Sequence, residues 1–244
     1  MKKLVKEILN LILPNRCLTC NAIINQDDLF CLEHFKKLEF ISDPKCKICS
    51  HSFDFEQDSN QDLTCVNCLK TKPSFDSSVA VFSYNETIAK TIFNLKYYDA
   101  TFLSKKLGKI LADNLKNKID NYDIITCVAL HKKRLKKRKF NQSALLCKEI
   151  LKHHKHLKFY PDLLVRTKYS EAQAHLTQQQ RMKNLETSFI INSKFSHRIA
   201  NKKILLIDDV MTTQSTAENC SKALKKANCG DIKVVVIAKT KLRH

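Results

Sequence analysis

The sequence predicts an α/β protein, with a parallel sheet covered by helices on both faces and a small metal-organised domain in front of it. Three features point there. From residue 78 onward, apolar runs alternate with segments of helical period. Two of those runs, 204–207 and 234–238, are apolar throughout, as strands buried on both faces are. Seven of the eleven cysteines lie between Cys17 and Cys68, in a polar stretch without long periodic runs. A length of 244 residues suits a medium domain with a small appendage, and the boundary is placed near Pro73, giving domains 1–73 and 74–244.

Taken in order, Leu4, Ile8, Leu11 and Ile12 recur at helical spacing, so a short amphipathic helix is expected over 3–13, ending at Pro14. Its apolar part is too short for a secretory leader or a membrane span, and no later segment approaches one. A soluble protein of the reducing cytoplasm is expected, where paired cysteines read as metal sites rather than disulfides. After the cysteine-rich stretch, 78–84 alternates like a strand, while 88–95 and 103–115 carry helical spacing. Strands follow at 124–130, 189–191, 204–207 and 234–238, with helices at 142–151 and 215–226 between them. Cys127, Cys147, Cys220 and Cys229 fall in or at the ends of these elements and read as small core residues. His153, His154 and His156 read as solvated surface at a helix end.

The N-terminal cysteines form pairs at one spacing: Cys17 with Cys20, Cys31 with His34, Cys46 with Cys49, and Cys65 with Cys68. Eight such ligands are the number that two tetrahedral zinc ions need. Two intervening residues let both donors of a pair face one ion while backbone N–H groups offset thiolate charge. Sequential closure would group Cys17, Cys20, Cys31 and His34 apart from Cys46, Cys49, Cys65 and Cys68; crossed pairing is open. Four ligands per ion leave no free position, so the zinc is structural.

The second signal is Ile204-Leu205-Leu206-Ile207-Asp208-Asp209-Val210-Met211-Thr212-Thr213-Gln214-Ser215-Thr216. An apolar strand, two carboxylates, a hydroxyl-rich loop and a helix suit a sugar phosphate. Asp208 and Asp209 can accept from vicinal ribose hydroxyls. The N–H groups of the loop and first helical turn, with the hydroxyls of Thr212, Thr213, Ser215 and Thr216, can hold a 5′-phosphate. A formal charge of +19, from 43 basic and 24 acidic side chains, fits a polyanionic partner. Residues 131–139 hold seven of those cations after an expected core strand. As a loop they can clamp a pyrophosphate, with His131, Lys132, Arg134 and Arg138 nearest, or track a nucleic-acid backbone, or simply be solvated. Phe140 and Tyr97 can stack on bases or anchor packing.

The acidic pair with its loop resembles the phosphoribosyl diphosphate motif of type I phosphoribosyltransferases, in which glycine stands at position 214. Together with the cysteine pairs, the chain resembles the ComF family of competence proteins, also called amidophosphoribosyltransferase-like. The matching stretches are Leu95-Lys96-Tyr97, Val128-Ala129-Leu130-His131-Lys132-Lys133-Arg134, Arg138-Lys139-Phe140-Asn141-Gln142, and Gln173, Leu176, Arg181 and Asn184. The family normally shows proline at 129 and glycine at 139. The resemblance implies a double zinc ribbon ahead of a type I phosphoribosyltransferase-like domain. It also implies a part in moving single-stranded DNA into the cytoplasm during natural transformation. Phosphoribosyl diphosphate with Mg²⁺ is the expected ligand, held by Asp208 and Asp209 and by residues Thr212, Thr213, Gln214, Ser215 and Thr216. Single-stranded DNA and a DNA-uptake helicase or other competence proteins are the expected partners. The alternative is a working phosphoribosyltransferase of unknown acceptor. Thr212 stands where many purine transferases place an aspartate base, so a neutral nucleophile has no obvious base here.

Overall fold

A computed structural model describes residues 14–25, 28–53, 63–98, 100–167 and 188–241. The helix expected over 3–13, and Gln173, Leu176, Arg181 and Asn184, lie outside the described residues. Five strands form one parallel sheet in the order β1-β7-β6-β2-β3: β1 (Ser77–Ser83), β2 (Ile124–Cys127), β3 (Lys158–Phe159), β6 (Ile204–Met211) and β7 (Ile232–Lys239). Every residue of β2, and Ile204 to Ile207 of β6, is buried, because helices cover both faces. One face packs against α3 (Glu86–Tyr97), α4 (Ala100–Leu115) and α6 (Gln142–His153) through Leu95, Leu107, Leu111, Leu146 and Ile150. The other packs against α7 (Ser215–Lys226) through Cys220 and Leu224. Helices α4 and α6 approach so closely at Gly108 that a Cβ there would sit 2.4 Å from the Glu149 Cβ, which is why this position lacks a side chain. Among the described residues no helix is long and apolar enough to cross a membrane.

Four details depart from the sequence reading. The strand at 189–191 is outside the parallel sheet: β5 (Phe189–Ile191) pairs antiparallel with β4 (Leu164–Arg166), a two-stranded unit against the α7 side of the core. Strand β6 continues through the aspartates to Met211, because β7 keeps pairing with it (Val210 with Ala238, Met211 with Lys239) after the β2 ladder stops at Ile207. The basic stretch is a helix, α5 (Lys132–Arg138), rather than a loop. Lysine, arginine and leucine are good helix formers, the His131 side chain caps the first turn, and three basic residues sit in the last turn, where the helix dipole favours them. Finally, His154 is buried and His156 partly so. Their Nε2 atoms meet the carbonyls of Ala112 at 3.1 Å and Ile119 at 3.3 Å. Ala112 lies in the last turn of α4, where carbonyls have no intrahelical donor, and His154 meets that need.

The cysteine-rich segment is built twice on one plan. Around Cys17 the chain makes a bridge between Arg16 and Ile23, and 29 residues later Lys45 and Ser52 bridge in the same way around Cys46. In both turns the residue after the second cysteine, Asn21 or Ser50, takes a left-handed backbone (φ 66° and 57°). In both repeats the next cysteine is the N-cap of a one-turn helix: Cys31 for α1 (Leu32–Phe35) and Cys65 for α2 (Val66–Lys70). This unit lies along the open edge of β1, with Ile41 N donating to Val81 O at 2.9 Å and Ser83 N to Glu39 O at 2.8 Å. It also ties to α3, where Thr19 and Thr91 hydroxyls meet at 2.8 Å in a buried contact.

Candidate functional site

The two repeats bring the eight donors into two groups. Cys17, Cys20, Cys31 and His34 form one; Cys46, Cys49, Cys65 and Cys68 form the other. Within each group the donor atoms lie within 4.8 Å of one another. A tetrahedral zinc with sulfur ligands at about 2.3 Å needs sulfur–sulfur edges of about 3.8 Å. Cys20 and Cys31 are 3.9 Å apart, and Cys49 and Cys65 3.6 Å, so the donor sets fit the ion. All four cysteines of the second group are buried. The hydrogen bond from the Cys49 side chain holds the Cys46 thiol down to about 4, and the same contact, with burial, pushes Cys49 up. Four buried thiols cannot all ionise without a cation among them. The Cys65 N–H donates to Cys46 Sγ at 3.3 Å, the expected offset of thiolate charge. Both sites are closed, and zinc there would hold the fold rather than act on a substrate.

Asp208 and Asp209 lie at the carboxyl end of the sheet, where parallel α/β folds present ligands. As successive strand residues they point to opposite faces. Asp209 is 5% exposed and forms a salt bridge with Lys96 of α3. Gln142 Nε2 donates to it at 3.3 Å, and Ser143 Oγ donates to Asp208, also at 3.3 Å. The first turn of α6 thus reaches both carboxylates. Burial, and then the charge of Asp209, push the Asp208 carboxyl up to about 8. A protonated Asp208 beside a salt-bridged Asp209 offers a donor and an acceptor within one pair.

Beyond the pair, Thr212, Gln214, Ser215 and Thr216 line a small depression with Asp208, while the Thr213 and Ser215 hydroxyls meet at 2.8 Å. Gln214 is the N-cap of α7, yet its side chain makes no capping bond, and its backbone is left-handed at φ 63°. The first turn of α7 therefore presents its N–H groups toward the depression.

The basic helix joins this site through Arg138. Arg138 donates to Gln142 Oε1 at 3.2 Å and to the Tyr97 hydroxyl at 3.1 Å, with its guanidinium 5.0 Å above the Tyr97 ring. The Tyr97 hydroxyl is held below its usual range by that hydrogen bond. His131 Nδ1 accepts from Lys133 N at 3.2 Å, and Lys132 is exposed. Arg134 is near enough to the part-buried Arg166 of β4 to help depress it, after burial itself. A chain of contacts runs Tyr97, Arg138, Gln142, Asp209, Lys96. Sequence reasoning did not give Lys96, Gln142 or Ser143 a role. Their partners lie 65 or more residues away, and the only signal was that Lys96 and Gln142 fall within stretches matching the family.

The family model described as "Double zinc ribbon domain" matches residues 8–69. Over 183 residues the chain is 27% identical to "Competence protein F" of Haemophilus influenzae, covering 72% of this chain and 78% of that protein. Over 203 residues it is 29% identical to "Competence protein ComFC" of Streptococcus pneumoniae, covering 77% and 84%. The chain is similar to the ComF competence proteins. Among solved structures, glutamine phosphoribosylpyrophosphate amidotransferase from B. subtilis is 16% identical to this chain. That match has a TM-score of 0.38 and covers 55% of this chain and 25% of that one.

Proposed function

We propose that this protein is a cytoplasmic competence factor that binds phosphoribosyl diphosphate at the carboxyl end of β6 and handles single-stranded DNA during uptake. The observation carrying the ligand reading is the α7 N-terminus, uncapped by Gln214 and set directly after the Asp208–Asp209 pair. An anion is what an uncapped helix start attracts, and the hydroxyls of Thr212, Thr213, Ser215 and Thr216 supply further donors. The acidic pair then meets the ribose hydroxyls. Lys96 and Arg138, joined to the pair directly and through Gln142, supply positive charge on the side where a diphosphate would extend. His131, Lys132 and Arg134 on α5 extend that charge outward. The competence role rests on the names of the relatives, and the DNA role on those names and on the charge of +19.

Calorimetric titration of phosphoribosyl diphosphate, with and without Mg²⁺, into the zinc-loaded protein tests the ligand reading. Binding that competes with ribose 5-phosphate and is lost in Asp208→Ala/Asp209→Ala is the expected result. No heat with either metal condition would overturn it.

A further inference from the structure

Helix α3 buries Ile88, Thr91, Ile92 and Leu95, and on its outward side and just past its end it shows three aromatic rings instead of the polar face a solvated helix carries. Phe93 and Tyr97 are 50% exposed and Tyr98 is 74% exposed. The Phe93 ring centroid lies 4.8 Å from that of Tyr97 and 5.9 Å from that of Tyr98, so the three form one patch. The patch borders a groove of about 990 Å³, counting its open mouth, between the first cysteine turn and helices α3 and α4. Its lining includes Leu18, Lys90, Phe93, Asn94, Tyr98 and Phe102. The turn is fixed in place, since Asn94 Nδ2 donates to the carbonyls of Leu18 at 3.3 Å and Thr19 at 3.0 Å.

The charged side chains that line this groove or stand over its rings are cations, while Glu33 and Glu86 line the neighbouring depression that shares Thr19 and Lys90 with it and Cys17 and Cys20 turn toward the metal site. Lys90 lines the groove, Lys106 stands 5.8 Å over the Phe102 ring, Arg138 stands 5.0 Å over the Tyr97 ring, and α5 continues the positive strip. No aspartate or glutamate lines it among the described residues. Flat apolar rings interleaved with cations, without a carboxylate, match a polyanion whose units have exposed π faces, which is single-stranded nucleic acid.

We infer that the Phe93–Tyr97–Tyr98 patch and the adjoining groove form a base-stacking platform for single-stranded nucleic acid, its backbone running along the cations of α5. This rests on the nucleic-acid half of the function proposed above and assigns it a place. Arg138 contacts Tyr97 on one side and Gln142 on the other, so the platform abuts the sugar-phosphate site.

The test uses the full-length zinc-loaded protein and a fluorescein-labelled dT20 oligonucleotide, read by anisotropy at 50 and 200 mM salt. Phe93→Leu/Tyr98→Leu keeps apolar volume and removes the π faces; it is expected to weaken binding at least tenfold with the salt slope unchanged, because stacking releases no counterions. Lys132→Gln/Lys133→Gln is expected to flatten that slope instead. The chain has no tryptophan, so Tyr98→Trp adds a single reporter at an exposed position, and its emission is expected to be quenched by dT20. Wild-type binding that the leucine pair leaves intact, with Trp emission unmoved, would overturn the platform while leaving DNA binding elsewhere. A wild-type protein that ignores dT20 at 50 mM salt would overturn both. Self-association lost in the leucine pair, with dT20 affinity unchanged, would assign the patch to a second copy of the chain and overturn it too.

Discussion

Gln214 and Lys139 have φ values of 63° and 64°, in the left-handed region where a Cβ costs about 1–2 kcal/mol. The resemblance places glycine at both positions, and the structure gives the physical reason for glycine there. Each strained residue is held by a backbone bond: Lys139 N to Leu135 O at 2.7 Å, and Glu218 N to Gln214 O at 2.8 Å. Replacing them by glycine relieves the strain while loosening the unfolded chain. The net expected from Gln214→Gly/Lys139→Gly is a gain of roughly 1 kcal/mol, read as a higher urea midpoint at constant zinc. An unchanged or lower midpoint would refute the strain account. Asp208 sets a pH dependence. Its carboxyl rises from an ordinary value near 3.8 in the unfolded chain to about 8 in the fold, so the native state holds the extra proton between those limits. Stability from this group is therefore present at acidic pH and is lost as pH climbs toward and past 8. Asp208→Asn should flatten the fall in urea midpoint between pH 5 and pH 8; an identical slope in both proteins would refute the buried proton.

At the scale of elements, the parallel strands and long helices were legible because their signals are local: apolar runs for β6 and β7, and helical period for α3, α4, α6 and α7. What escaped was decided by neighbours. Strand β3 is two residues long and forms only because β2 offers it an edge. The basic helix α5 has almost no apolar periodicity, so its amphipathic signal is absent while its propensity and caps carry it. The buried histidines show nothing in sequence, because they are recruited by carbonyls of α4 and the turn after it. For the site, the cysteine spacing and the Asp-Asp-loop string were readable as chemistry. The reach of α6 to both aspartates was not, since it depends on how helices stack. The zinc ribbon follows the same logic, as its knuckles dock on β1 and α3 rather than standing alone. Chelating the metal with excess EDTA should lower the melting temperature of the whole chain in one transition and raise light scattering, because the β1 edge loses its cover. A separate early transition, with the main one unmoved, would show that the ribbon folds and fails by itself.

For the whole molecule, Arg138 is the point where three features meet. Helix α5, the Tyr97 patch and the carboxyl end of the sheet are neighbours, so a ligand at the acidic pair and a strand on the patch would share Arg138 as a common contact. The segment that connects the two cysteine groups, Glu39 to Ile41, pairs with β1 as an added edge. That pairing also bears on how the molecule comes into being. A ribosome delivers the cysteine repeats before β1, so their thiols meet zinc ahead of the strand edge and the helix on which the ribbon docks. Because metal and docking complete the same edge, a cell short of zinc would be expected to lose this protein during its synthesis rather than after it has folded.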